Sequence, residues 1–241
     1  MANITDNNKL LAFIPARSGS KGLKDKNIKQ FCGKPLMAYT IEAAKESGLF
    51  SEVFVSTDSE QYANIARQYG ADVPFLRSEA LASDTASTDD AIIEALEKFK
   101  ERGKEFDVIC ILQPTSPLRT AEDIKNAYKT LVKKAKVGVV SVCEPDHSPL
   151  WCNTISSDGS MAGFLSRDLG QQRQELDKYY RINGAIYFVY RDAFDEDPFL
   201  YREGSYAYVM DRERSVDIDS ELDFRMAEVL MCENVYSECG E

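Results

Sequence analysis

The 241-residue chain holds 29 basic and 40 acidic residues, for a formal net charge of -11, and 44% of its residues are hydrophobic. That apolar content suits one α/β domain with a small addition, and the acidity argues against a general nucleic-acid surface. The opening MANITDNNK is polar, no apolar run approaches the ~18 residues of a membrane span, and no signal-peptide pattern occurs, so a cytoplasmic protein is expected.

Six cysteines are scattered without a Cys-x-x-Cys pair, and His147 is the single histidine, so reduced thiols and no zinc site are expected. The first element is an apolar run, Leu10 to Ile14, short enough for a buried strand. It breaks at Pro15 into ARSGSKG and a stretch rich in cations: Arg17, Lys21, Lys24, Lys26, Lys29 and Lys34 stand against the single acid Asp25. Gly19 and Gly22 allow turn conformations and close backbone approach to a ligand, and amides plus cations at a strand end suit a polyphosphate. Neither Walker A nor the dinucleotide Gly-x-Gly-x-x-Gly pattern is present, and a Gly/Ser turn followed by a solvated basic segment also fits.

Pro35 is expected in the first turn of a helix from Leu36 to Ser47, stopped by Gly48. Val53 to Ser56 reads as a second strand, and Ser59 as the cap of a helix ending near Gly70. Thr88 or Asp89 opens another helix, with Ile92, Ile93, Leu96 and Phe99 at helical spacing. Val108 to Leu112 is a strand, Thr120 caps the next helix with Asp123 as capping-box partner, and Val137 to Val142 is again strand-like. Strands alternating with helices imply βαβ units and a mostly parallel sheet flanked by helices, with ligands beyond the carboxyl ends of the strands. After Cys143 the pattern changes: Glu144 to Arg181, rich in turn residues, reads as an inserted arm within a single 1–241 domain. Gly184 to Tyr190 and Tyr206 to Met210 return to strand character, Ser220 caps a helix from Glu221 to about Cys232, and a frayed tail is expected beyond it.

Five motifs carry candidate chemistry. The segment Ser56 to Asp58 ends a strand and places a carboxylate that either caps the next helix or serves a site. RSEALASDTASTDD, from Arg77 to Asp90, is either a loop leading to a helix cap or a nucleotide-recognition segment. In QPTSPLR two prolines fix the backbone, so Gln113 offers donor and acceptor groups at a strand end. In VDIDSELDF, an extended Asp217 to Asp219 points both carboxylates to one side with Ile218 inward. Such a pair suits Mg²⁺ with substrate phosphates, although the acids also fit a helix-start signal. RINGAIYF sets Arg181 and an amide before a strand; with Arg173 it can present guanidinium groups to a sugar carboxylate, with Tyr187 nearby or in the core.

IPARSGSKGLKDKN resembles the signature of the CMP-acylneuraminate synthetases, and LRxxxLASDTAS, QPTSPLR, RINGAIYF and VDIDSELDF are similar to later motifs of that family, in its order. The resemblance implies a Rossmann-like α/β nucleotidyltransferase that joins CTP to a nine-carbon sugar acid, N-acetylneuraminate first among them, with release of pyrophosphate. It also implies a homodimer whose arm, here 144–181, reaches across to the facing subunit. Carried over by motif, Arg17, Ser20, Lys21, Lys26 and Asn27 would meet CTP, with Arg77 and Thr88 on its nucleoside side. Gln113, Arg173 and Tyr187 would meet the sugar acid, and Asp217 and Asp219 would hold Mg²⁺; Arg17, Lys21 and the two aspartates would carry catalysis. One departure stands out: sialic-acid-specific bacterial members tend to read His-His-Pro-Leu-Lys in the arm, where this chain has His147-Ser-Pro-Leu-Trp151. Legionaminate and pseudaminate therefore stay open as the acid. A ketodeoxyoctulosonate cytidylyltransferase and a non-catalytic sensor of CTP or CMP-sugar are the other readings.

Overall fold

The computed structural model describes residues 8–19, 22–83, 87–165 and 177–238. Strand β1, Leu10–Pro15, is flanked by β4, Glu52–Ser56, and β5, Val108–Ile111, both parallel to it. Strand β7, Arg181–Tyr190, runs against β5 and against β6, Gly138–Cys143, while β8, Ser205–Val209, extends the edge parallel to β6. The sheet order is β4-β1-β5-β7-β6-β8, and a two-residue hairpin of β2, Gln30–Phe31, and β3, Lys34–Pro35, stands apart. The expected mostly parallel sheet is thus present, with one reversed strand.

A buried parallel strand has no polar face, and β1 shows what that means: alternate residues enter two different cores. Leu10, Ala12 and Ile14 pack with Met37 and Ile41 of α1, Leu36–Ser47, with Tyr62 of α2, Glu60–Gln68, and with Ile124 of α4, Ala121–Lys134. Leu11 and Phe13 pack with Ile92 and Phe99 of α3, Thr88–Lys100, and with Phe194 of α5, Arg191–Glu196. A third cluster joins the hairpin to α6, Glu221–Glu238: Phe31, Leu36, Leu118, Ile218 and Phe224 close over one another.

Several local expectations are met. Gly48 ends α1, Ser59 accepts from Tyr62 N at the start of α2, and Thr120 and Asp123 form a reciprocal capping box on α4. Others are corrected. Pro35 precedes α1 in extended conformation, paired with Gln30, where it needs no donor. Thr88 opens α3 as expected, with Ser87 before it accepting from Asp90 N as the cap. Ile93 is 44% exposed, because the buried stripe follows the i, i+4, i+7 spacing of Ile92, Leu96 and Phe99. Strand β7 starts at Arg181, before the expected Gly184, because β6 shifts register between Val140 and Val142 and keeps pairing to Cys143. The six-residue α5 is not foreseen at all, and α6 continues to Glu238 instead of fraying near Cys232. Among the described residues of the arm, the regular element is one 3-10 turn, Pro149–Trp151. No helix among the described residues is long and apolar enough to cross a membrane.

Candidate active site

The carboxyl ends of β1 and β5 open onto one cleft of about 420 Å³. On one side the segment after β1 supplies Arg17, Gly22, Lys26 and Asn27; on the other, the segment before α6 supplies Asp217 and Asp219. Gln113 to Thr115 follow β5 along the cleft, and Arg77, Ser87 and Thr88 complete the lining. Motifs as far apart in sequence as Arg17 and Asp219 therefore share one wall-to-wall space.

The basic turn is held by partners that sequence alone does not reveal. Asp58 Oδ1 accepts from Ser18 N at 2.7 Å, and its Oδ2 from Ser18 Oγ at 2.5 Å. Pairing of Pro15 with Ser56 explains the meeting, since the two chains leave the sheet side by side. Burial pushes the Asp58 carboxyl up, but the two bonds from Ser18, aided by the Arg77 charge, hold it below the usual range. Asn27 is buried and donates from Nδ2 to Arg17 O at 3.3 Å, so it supports the turn from beneath. Lys26 Nζ donates to Ile218 O at 2.6 Å and to Asp219 Oδ1 at 2.9 Å, which leaves one of its three donors for a ligand. The turn also touches the carboxylate segment directly: a methyl group on Gly22 would lie 2.7 Å from Asp219 O.

The two aspartates differ sharply. Ile218 between them is fully buried and its N–H donates to Thr115 O at 2.9 Å, which splays the acids toward the cleft as the extended spacing predicts. The Asp219 side chain is 79% exposed, whereas Asp217 Oδ1 is buried without a hydrogen-bond partner. Burial, only partly offset by a hydrogen bond with Thr115, raises the Asp217 carboxyl above its ordinary value, and the nearby Asp219 charge adds to that. A buried unpaired carboxylate oxygen is expensive, and one that faces a cleft is suited to a cation. Among the described residues no group of three or more His, Cys, Asp or Glu gathers, so the donor set is two hard carboxylates, which fits Mg²⁺ sharing its remaining positions with phosphates and water.

Gly184 lies under the other end of the cleft with φ 76°, and a Cβ there would come within 2.8 Å of Gln113 Oε1 and 3.4 Å of Asp217 Oδ2. The glycine therefore makes room for the amide and the carboxylate to sit together. Arg77 donates from Nε to Ser56 Oγ and from Nη2 to Ser56 O, both at 3.0 Å, so two of its five N–H donors are spent on the end of β4. Thr88 lines the cleft as the first residue of α3. Tyr187 does not line it: the ring packs into the second core, near enough to Asp217 and Tyr201 to help burial push its hydroxyl up to about 12. Arg181 donates to Ser215 O at 3.1 Å, and the amide beside it in the motif, Asn183, is buried in the core. Ser20, Lys21 and Arg173 lie outside the described residues. His147 and Trp151 border a separate hollow of about 470 Å³ at the base of the arm, with Glu144 and Asp177. The residues that sequence does not single out are Thr115 and Ser87, although each sits inside a singled-out motif; Asp58, read as a helix cap or a site residue, holds the basic turn instead.

A six-stranded α/β sheet with cations after its first strand and paired acids across the cleft defines a nucleotidyltransferase-type architecture. A family model described as cytidylyltransferase matches residues 11–237, and the chain belongs to that family. It is 41% identical over 225 residues to a CMP-N,N'-diacetyllegionaminic acid synthase of Legionella pneumophila, covering 92% of this chain and 96% of the relative. It is 39% identical over 219 residues to an N-acylneuraminate cytidylyltransferase of Escherichia coli, covering 91% of this chain and 51% of that longer protein. A solved CMP:2-keto-3-deoxy-manno-octonic acid synthetase with CTP superposes with a TM-score of 0.70 at 17% identity, over 94% of this chain and 99% of the other, and shares the fold.

Proposed function

We propose that this enzyme transfers a cytidylyl group from CTP to the anomeric hydroxyl of a nonulosonic acid, with N-acetylneuraminate as the first expected acceptor. The observation that carries the reading is that Asp217, whose Oδ1 is buried without a hydrogen-bond partner, lines one cleft together with Arg17 and Lys26. The acceptor oxygen bonds to the α-phosphorus as the bond to the β-phosphate oxygen breaks; pyrophosphate leaves and the hydroxyl proton passes to solvent. Charge grows on the leaving oxygens, so the gain comes from positioned cations and amides. Arg17 and Lys21 hold the triphosphate, with Ser20, Lys26 and Asn27 lining its path, and Arg77 and Thr88 lie on the nucleoside side. Gln113 and Arg173 face the acid, and Tyr187, expected beside them, packs in the core behind the cleft wall. Asp217 and Asp219 hold Mg²⁺, which when bound supplies positive charge to phosphate oxygens.

Two further observations support the reading. Ile155, Met161, Leu165, Tyr180 and Ile182 are all between 46% and 64% exposed, an apolar set that suits a homodimer interface. The thiols of Cys32, Cys110, Cys143, Cys152 and Cys232 are free, in keeping with a cytoplasmic enzyme. Trp151 where a lysine is expected, together with the relation to a legionaminate enzyme, favours a legionaminic-type acid as the second reading. Pyrophosphate release is the test, measured with CTP, Mg²⁺ and a panel of N-acetylneuraminate, legionaminate, pseudaminate and ketodeoxyoctulosonate. Release is expected with a nine-carbon acid and strongly reduced in Lys21→Ala. CTP binding without release on any acid would overturn the reading in favour of a sensor.

A further inference from the structure

Three buried polar side chains form a lattice that the cleft does not use. Asn183, Ser141 and Ser215 are each at most 1% exposed. Polar groups so deep must be satisfied by each other, and these are. Asn183 Oδ1 accepts from Ser141 Oγ at 2.6 Å and from Ala185 N at 3.2 Å. Asn183 Nδ2 donates to Ser215 Oγ at 2.9 Å and meets Met210 Sδ at 3.3 Å. Ser141 in turn accepts from Ile186 N at 2.8 Å, and Ser215 Oγ donates to Asp211 O at 2.7 Å. The amide orientation follows from its neighbours: two donors face the oxygen and an acceptor faces the nitrogen.

The lattice has a direction. Ser141 sits where β6 shifts register, inside the sheet, while Ser215 stands two residues before Asp217. On the far side of Asp217, Ile218 N is held by Thr115 O. The carboxylate segment is therefore pinned at both ends, once to the β5 side and once to the start of β7, through Asn183 to Ser215 Oγ and through Arg181 to Ser215 O. Lys26 also holds the segment, but from within the cleft, where an incoming phosphate competes for it. The Asn183 tie lies in the core, away from any competing ligand in the cleft.

We propose that Asn183 is a positioning residue: its buried amide, acting through Ser215, sets the place of the Asp217 and Asp219 carboxylates for their cation. This rests on the reading of the two aspartates as a metal pair. Residues that orient metal ligands from behind change metal affinity by about 10- to 100-fold when lost, without touching the ion.

The experiment measures Mn²⁺ binding to the full chain by electron paramagnetic resonance, with CTP present and no acid, beside a urea melt of each variant. Asn183→Ala and Ser215→Ala are each expected to weaken Mn²⁺ binding about tenfold, and the double variant no further, because both break one link. Ser141→Ala should lower stability yet hold Mn²⁺ affinity within about twofold, since Ala185 N still fixes the amide oxygen. If Asn183→Ala does not fold, the milder Ser215→Ala carries the test. Wild-type affinity in a folded Ser215→Ala, or an equal loss in Ser141→Ala, overturns the proposal while the metal pair stands. No Mn²⁺ binding in the wild type would overturn the metal pair and this inference with it.

Discussion

Replacing Asp123 by alanine tests how firmly α4 and the approach to the carboxylate segment are joined. Asp123 is 2% exposed and accepts five hydrogen bonds: from Thr120 N and Oγ1 at 3.0 and 2.8 Å, Tyr208 OH at 3.1 Å, and Arg214 Nε and Nη2 at 3.1 and 3.2 Å. Losing its half of the capping box costs about 0.5–1 kcal/mol, and the Tyr208 bond about 1 kcal/mol. The Arg214 pair is worth less than its geometry suggests, because the arginine side chain is 33% exposed and water can take up its donors; about 1 kcal/mol is a fair share. The expected loss is about 3 kcal/mol, or roughly 6–12 °C in Tm for a domain of this size. Asp123→Asn keeps an acceptor for Thr120 but gives up the charge, so about half the loss is expected.

The pH dependence has a definite sign. Burial pushes the Asp123 carboxyl up, but the bonds from Arg214 and Thr120 outweigh it and hold it below the usual range. Its contribution is therefore present above the unfolded carboxylate value of about 3.9 and is lost as pH falls through the lower folded value. Urea melts followed by far-ultraviolet circular dichroism should show the full gap between variant and wild type near neutrality, narrowing only below about pH 4. A gap under about 1 kcal/mol at neutral pH, or one of the same size in strong acid, would refute the reasoning.

Two other outcomes follow from the cleft. Asp217→Asn should abolish pyrophosphate release, yet in metal-free buffer it should melt no lower than wild type near neutrality. The raised Asp217 carboxyl makes the folded chain hold its proton to higher pH than the unfolded one, so its charge costs stability above that range; a lower melting point in chelator would contradict this. Gly184→Ala must accept φ 76° and crowd Gln113 Oε1, so a stability loss of about 1–2 kcal/mol is expected, with KM for the acid rising more than KM for CTP. Equal changes in both constants would count against a seat for the acid near Gln113.

Much of this architecture is legible in the sequence because buried strands and capped helices write their own signals. Leu10 to Ile14 is uniformly apolar since both faces of β1 meet helices, and Thr120 with Asp123 marks a helix start by spacing alone. Ile218 between two acids is likewise legible, because period-two alternation sends it opposite to them. What escapes is whatever depends on pairing between distant segments. Asp58 holds the basic turn only because β4 lies next to β1, and nothing local distinguishes it from a helix cap. Asn183 looks like a polar residue ahead of a strand, whereas the register shift in β6 carries the strand past it and buries its amide. The tyrosine at 187 shows the reverse: an aromatic that serves packing first.

The reversed strand also shapes how this molecule can change. Because β7 runs opposite to β6, Cys143 and Arg181 are neighbours, and the intervening excursion departs and returns at one rim. Such a detour can lengthen at about 0.6 kcal/mol per doubling without disturbing any rung of the ladder. The cleft beyond the ends of β1 and β5, the proposed seat of the nucleotide, is lined by none of the residues of that excursion. A scaffold arranged this way can change one appendage and leave the rest of its sheet as it was.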